Sequence, residues 1–229
     1  PVNGNLWQPD NDQEQLDLSV LQPLSALERL HCRQWQHVKL SDSAALPRLT
    51  CLSLASVRTF SLDAALPSLQ QLKVDHTDSL QLAGARLQLP QLSRLGLYHI
   101  CSGAINWSAV PQLAALTVVS WHDRQGLALE TSSMRGLTSL NLDYWTAMLK
   151  VLQAPPPSLR RLEVVIPRDG MSQPPFHHVP QLTSLTCNSP AILPHLGPLQ
   201  QLRHLEFSRH WAASLTPEHI ECVRGLSSL

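Results

Sequence analysis

A leucine triplet of the form Leu-x-x-Leu-x-Leu, with Val, Cys or Phe sometimes in the last place, returns along this chain about every 22 residues. Copies open at Leu27, Leu49, Leu69, Leu92, Leu113, Leu137, Leu159, Leu182 and Leu202, a weaker one at Gln13, and an incomplete one at Leu226. A period in the low twenties is that of a solenoid turn. In an extended segment successive side chains point to opposite faces, so the fourth and sixth positions of each copy, Leu72 and Val74 for example, share one face. A single strand cannot bury that face alone. Equivalent strands stacked in parallel, about 4.8 Å apart, form a continuous apolar ladder and satisfy one another's backbones.

These copies, written LERLHC, LTCLSL, LQQLKV, LSRLGL, LAALTV, LTSLNL, LRRLEV, LTSLTC and LRHLEF, resemble the leucine-rich repeat family over residues 13–229. The resemblance implies an α/β solenoid, a horseshoe with a parallel sheet on its concave face. It also implies a role in holding another macromolecule. Many family members carry Asn or Cys at the ninth position, where the side chain satisfies buried backbone at the turn. Here that place holds Trp35, Val57, Thr77, Ile100, Trp121, Trp145, Pro167, Pro190 and His210, so there is no asparagine ladder. Irregular turns follow, with the apolar residues at this position expected in the core.

After the first strand of each turn, pairs such as Val38-x-Leu40, Phe60-x-Leu62 and Leu80-x-Leu82 repeat with period two, and Pro precedes many of the next strands. The convex side is therefore expected to hold loops and short extended pieces. A helix is expected at 216–223, where Thr216 can cap and Pro217 suits the first turn. Residues 1–12 read as a linker or the remnant of a cap, and 13–229 as one domain of about ten repeats, the last truncated. The stretches 155–157 and 167–175 are expected as surface loops between strands. Both ends read as cut, since the chain opens on Pro1 and stops inside a copy.

Lys plus Arg equals Asp plus Glu at 17 each, which favours neither nucleic acid nor an anionic membrane as partner. No apolar run approaches the roughly 20 residues of a membrane span. Five cysteines, an odd number without Cys-x-x-Cys, fit reduced thiols in an intracellular, cytoplasmic setting, with Cys32 and Cys187 as small buried hydrophobes. Asn106-Trp107-Ser108 matches a glycosylation acceptor only formally, because the Trp is wanted in the core. The 11 His residues are scattered, and the chain contains no His-Glu-x-x-His, Gly-x-Ser-x-Gly or phosphate-cradling loop. No catalytic residue, cofactor site or metal ligand is assigned, and an enzyme is not expected.

Positions three, five, seven and eight of each copy are expected to project from the concave sheet. The candidate contacts for a protein or peptide are Arg29, His31, Arg33, Lys73, Asp75, Arg94, Tyr98, Asn141, Asp143, Tyr144, Glu163, Asn188, Glu206 and Arg209. Tyr and Arg concentrate binding energy at interfaces, which singles out Tyr98, Tyr144 and Arg33. The fifth position runs from His31 and Lys73 to Glu163 and Glu206, from basic toward acidic, so a ligand of mixed charge would be oriented along it. The resemblance extends to the arrays of F-box proteins, which implies the substrate-recognition part of a ubiquitin ligase adaptor. The alternative is the ligand-sensing region of an immune-type or signalling receptor, and a third reading is the non-catalytic part of a larger enzyme. In isolation a monomer is expected.

Overall fold

The computed structural model describes residues 3–5, 15–41, 46–121, 129, 134–143, 145–166 and 174–208. Thirteen strands occur among them with few helices, and every strand pairing is parallel. No described helix is long and apolar enough to cross a membrane. The chain divides into two compact units, 1–128 and 129–229.

In the first unit each leucine triplet forms a strand: β3 (Arg29–Arg33), β5 (Cys51–Ala55), the first part of β7 (Gln71–Leu82), of β8 (Arg94–Ile105) and of β9 (Ala115–Trp121). They stand side by side in that order, with β1 (Asn3–Asn5) next to β3. The register is that of the repeat: Leu30, Leu52, Leu72, Leu95 and Leu116 are successive partners, as are Cys32, Leu54, Val74, Leu97 and Val118. All ten of these side chains are buried, as are the opening leucines Leu27, Leu49, Leu69, Leu92 and Leu113. Burying a side chain of this size stabilises by about 1.5–3 kcal/mol, so one period of sequence supplies several such contributions.

A tight turn sets up each strand. In Leu46-Pro47-Arg48-Leu49 the amide of Leu49 donates to the carbonyl of Leu46 at 3.2 Å. Leu69 to Leu66, Leu92 to Leu89 and Leu113 to Val110 repeat it. Proline suits the second place of such a turn because its φ is already set.

A second parallel ladder forms the return side. It runs from β2 (Gln15–Asp17) through β4 (His37–Leu40) and β6 (Thr59–Leu62) to the later parts of β7 and β8. Val38-x-Leu40, Phe60-x-Leu62 and Leu80-x-Leu82 thus form strands as the alternation predicts. Ile105 ends β8, and Trp107 sits buried in a short 3-10 turn at Trp107–Ala109. There Asn106 Oδ1 accepts from the amide and hydroxyl of Ser108, at 3.2 and 2.6 Å, so this side chain caps a turn.

Between the ladders the chain turns a corner at the eighth position. Gln34, Ser56, His76 and His99 have φ of 60°, 55°, 54° and 52°. A left-handed residue in an extended run shifts the inward alternation by one, so after Leu52 and Leu54 the next buried residue is Val57; a bend at Arg58 shifts it again, to Phe60 and Leu62. The ninth position faces inward, with Val57, Thr77 and Ile100 buried and Trp35 half-buried. Backbone bonds between turns stabilise the corner: Gln34 N donates to Ala55 O (3.0 Å), Ser56 N to Asp75 O (2.9 Å) and Val57 N to His76 O (3.2 Å). Gly103 is needed where β7 and β8 run together, since a Cβ there would collide with the Leu80 carbonyl oxygen.

The second unit keeps the same front strands, β10 (Ser139–Leu142), β11 (Arg161–Val164), β12 (Ser184–Cys187) and β13 (His204–Phe207), paired in that order. Among the described residues its return side has loops and turns in place of extended pieces, and one short helix that was not expected. Trp145–Gln153 is a helix, α1, and Phe176–His178 and Pro190–His195 are 3-10 turns. Met148, Val151 and Leu152, at helical spacing, bury one face of α1. Among the stretches expected as surface loops, Pro156 is buried and residues 167–173 lie outside the described residues, as does the helix expected at 216–223.

Candidate functional site

The side of the front strands that faces away from the core carries the candidate residues. In the first unit three columns of facing residues run across it. One is Arg29, Cys51, Gln71, Arg94 and Ala115, the next His31, Ser53, Lys73, Gly96 and Thr117, the third Arg33, Ala55, Asp75, Tyr98 and Val119. Arg29, Arg33 and Arg94 are exposed, and His31, Lys73, Asp75 and Tyr98 are half-buried.

The columns meet at Tyr98. A Cβ on Gly96 would come within 2.9 Å of Tyr98 Cε2, so the ring lies back over the gap that glycine leaves. Lys73 Nζ stands 4.9 Å from the ring centroid, a cation on an aromatic face. Glycine, lysine and tyrosine from two adjacent turns therefore assemble one ordered patch. His31 nearby is held below its ordinary pKa of 6.5 by partial burial and by the charges of Arg33 and Lys73.

At the edge of this face, where the strands turn their corner, Asp75 Oδ1 lies 2.8 Å from His76 Nδ1, and the His76 and His99 ring centroids are 4.3 Å apart. This grouping was not singled out by sequence. Its signal was the register itself, since His76 and His99 both occupy the eighth position. Away from the face, an open groove of about 640 Å³ is lined by Glu28, Arg48, Thr50, Pro67, Ser68, Gln70 and Gln91. Those residues offer hydrogen bonds and one charge of each sign, and none is an activated nucleophile.

The second unit presents an acidic counterpart. Ser139, Arg161, Ser184 and His204 face one another, as do Asn141, Glu163, Thr186 and Glu206. Partial burial, with Glu206 beside it, holds the Glu163 carboxyl above its ordinary value of 4.5. His204 Nε2 lies 3.6 Å from Glu206 Oε2. Asn141 and Asp143 are half-buried, and Tyr144 and Arg209 lie outside the described residues.

Asn188 corrects the expectation of an outward side chain. It is buried at 8% exposure; its Oδ1 accepts from Ile166 N at 2.6 Å and its Nδ2 donates to Ile166 O at 3.2 Å. Both amide groups are thus used on backbone of the preceding turn, because a buried amide must find partners. Ile166 and Ser189, also assigned outward, are buried. The eighth position has no left-handed corner at Ser189, where φ is −143° and the side chain accepts from Ala191 N.

The four described cysteines are free thiols. Burial pushes Cys32 up to about 12 and Cys187 up to about 11, as befits packing groups in the core. No protein-family model matches this chain, and no curated protein matches it significantly.

Proposed function

We propose that this chain is a leucine-rich repeat module, a solenoid whose concave face binds a protein or peptide, and that it performs no chemistry of its own. The observation that carries this reading is the Lys73–Tyr98 pair seated over Gly96 on an outward face. A half-exposed tyrosine already fixed by its neighbours loses little freedom when a partner covers it, which is what makes an interface anchor. Arg29, Arg33 and Arg94 elsewhere on the face suit acidic groups, and Glu163 and Glu206 in the second unit suit basic ones. The narrower form, substrate recognition in a ubiquitin ligase adaptor, rests on the ninth position lacking an asparagine ladder. Four free thiols among the described residues, two of them buried, support an intracellular setting.

The test compares proteins retained from cell extract by the unaltered chain, by Tyr98→Ala and Lys73→Ala, and by Lys39→Ala and Gln81→Ala on the return ladder. Partners lost with the first pair of substitutions and kept with the second support the reading. Identical retention by all five would sink it.

A further inference from the structure

The corner residues Asp75, His76 and His99 point to a second kind of site. We propose that Asp75, His76 and His99 bind a divalent transition metal of the zinc class at the edge of the interaction face. One ligand atom from each residue lies within 4.8 Å of the other two. Around zinc, bonds of about 2.0–2.1 Å place tetrahedral ligands roughly 3.3 Å apart. The donors lie at most about 1.5 Å beyond that spacing.

An independent observation marks the centre of this group. Asp75 Oδ1 is shielded from solvent, and His76 Nδ1 stands 2.8 Å away. A carboxylate oxygen shielded in this way needs a proton donor or a cation beside it. A metal ion bound here replaces the proton that otherwise bridges Nδ1 and Oδ1. His99, its ring tilted 31° to that of His76 at 4.3 Å, places a third donor there.

The backbone is built to hold this arrangement. His76 and His99 occupy successive left-handed corners, at φ 54° and 52°, and inter-turn bonds to Asp75 O and His76 O stabilise the first of them. Two imidazoles and one carboxylate select borderline metals such as Zn²⁺ or Co²⁺ over Mg²⁺ or Ca²⁺, which want oxygen alone. Three protein ligands leave a fourth position for water, on the solvent side, since His76 is exposed.

The experiment titrates the full chain, without an affinity tag, with Zn²⁺ by calorimetry and with Co²⁺ by visible absorption. One metal per chain is expected, with the bands of four-coordinate Co²⁺. Asp75→Asn, His76→Gln and His99→Gln should each weaken binding by more than the roughly tenfold that even an outer-shell change costs. His177→Gln with His178→Gln should leave it unchanged. In the unaltered chain, imidazole nitrogen resonances of two histidines should shift on adding Zn²⁺, a reading that does not depend on any variant folding. No shift of the His76 and His99 signals, or equal binding by His99→Gln, would overturn the site.

Discussion

From Leu49 to Leu62 the first unit goes from buried strand to left-handed Ser56 to a second buried strand, and its return side is a parallel ladder. From Leu182 to His195 the second unit starts with the same strand but continues through extended Ser189 into a 3-10 turn. The first closes its turn with backbone bonds between corners, the second with a side chain, Asn188 on Ile166. The triplet thus dictates the front strand alone. The residues after it decide how buried polar groups are satisfied and what the return side becomes.

If the front strand is the common element, Leu72→Ala and Leu162→Ala should cost alike. Both side chains are buried at the fourth position, so each loses about 2–5 kcal/mol. Urea denaturation checks this, and a cost confined to one unit would break the equivalence. Asn188→Ala comes next, at about 1–3 kcal/mol, because it strands a buried amide and carbonyl of Ile166. Hydrogen exchange should quicken at the Ile166 amide and leave that of Val57 protected.

The corner gives a smaller effect of opposite sign in the two units. At φ 55°, Ser56→Gly removes steric cost and should stabilise by up to about 1 kcal/mol, the gain partly offset by glycine's entropy in the unfolded chain. At φ −143°, Ser189→Gly loses a cap worth a few tenths of a kcal/mol and adds glycine's backbone entropy, so it should destabilise by about 0.5–1 kcal/mol. Thermal unfolding of the two variants distinguishes the closures.

The smallest effects are electrostatic. Glu163 is raised by burial and then by Glu206, so the folded state keeps its proton longer. Its contribution is full below pH 4.5 and declines as pH rises through the raised value. His31 is lowered by burial, then by Arg33 and Lys73, so its contribution is full above pH 6.5 and is lost as pH falls through the lowered value. Glu206→Gln should move Glu163 partway down, and Arg33→Gln should move His31 partway up. NMR titration reads both, and burial sets the part that stays.

Sequence made the front strands legible because their inward positions are filled by Leu, Val and Cys at fixed spacing. The extended return of the first unit was legible for the same reason. Helix α1 was missed even though Met148, Val151 and Leu152 have helical spacing, because so short an apolar set carries little weight beside the repeat. Asn188 was read as outward from its number in the copy, which holds only while the strand alternation continues past Cys187. The patch at Tyr98 was half legible. Tyrosine stood out, but its seat depends on Gly96 and on Lys73 one turn earlier. Asp75, His76 and His99 match no short motif because register, rather than adjacency, brings them together.

That composition of a site by register is tested most directly by nuclear Overhauser contacts of the Tyr98 ring. Contacts to Gly96 Hα and to the Lys73 Hε protons, with the latter shifted upfield by the ring, are the expected result. A Tyr98 ring with contacts to neither residue would contradict it.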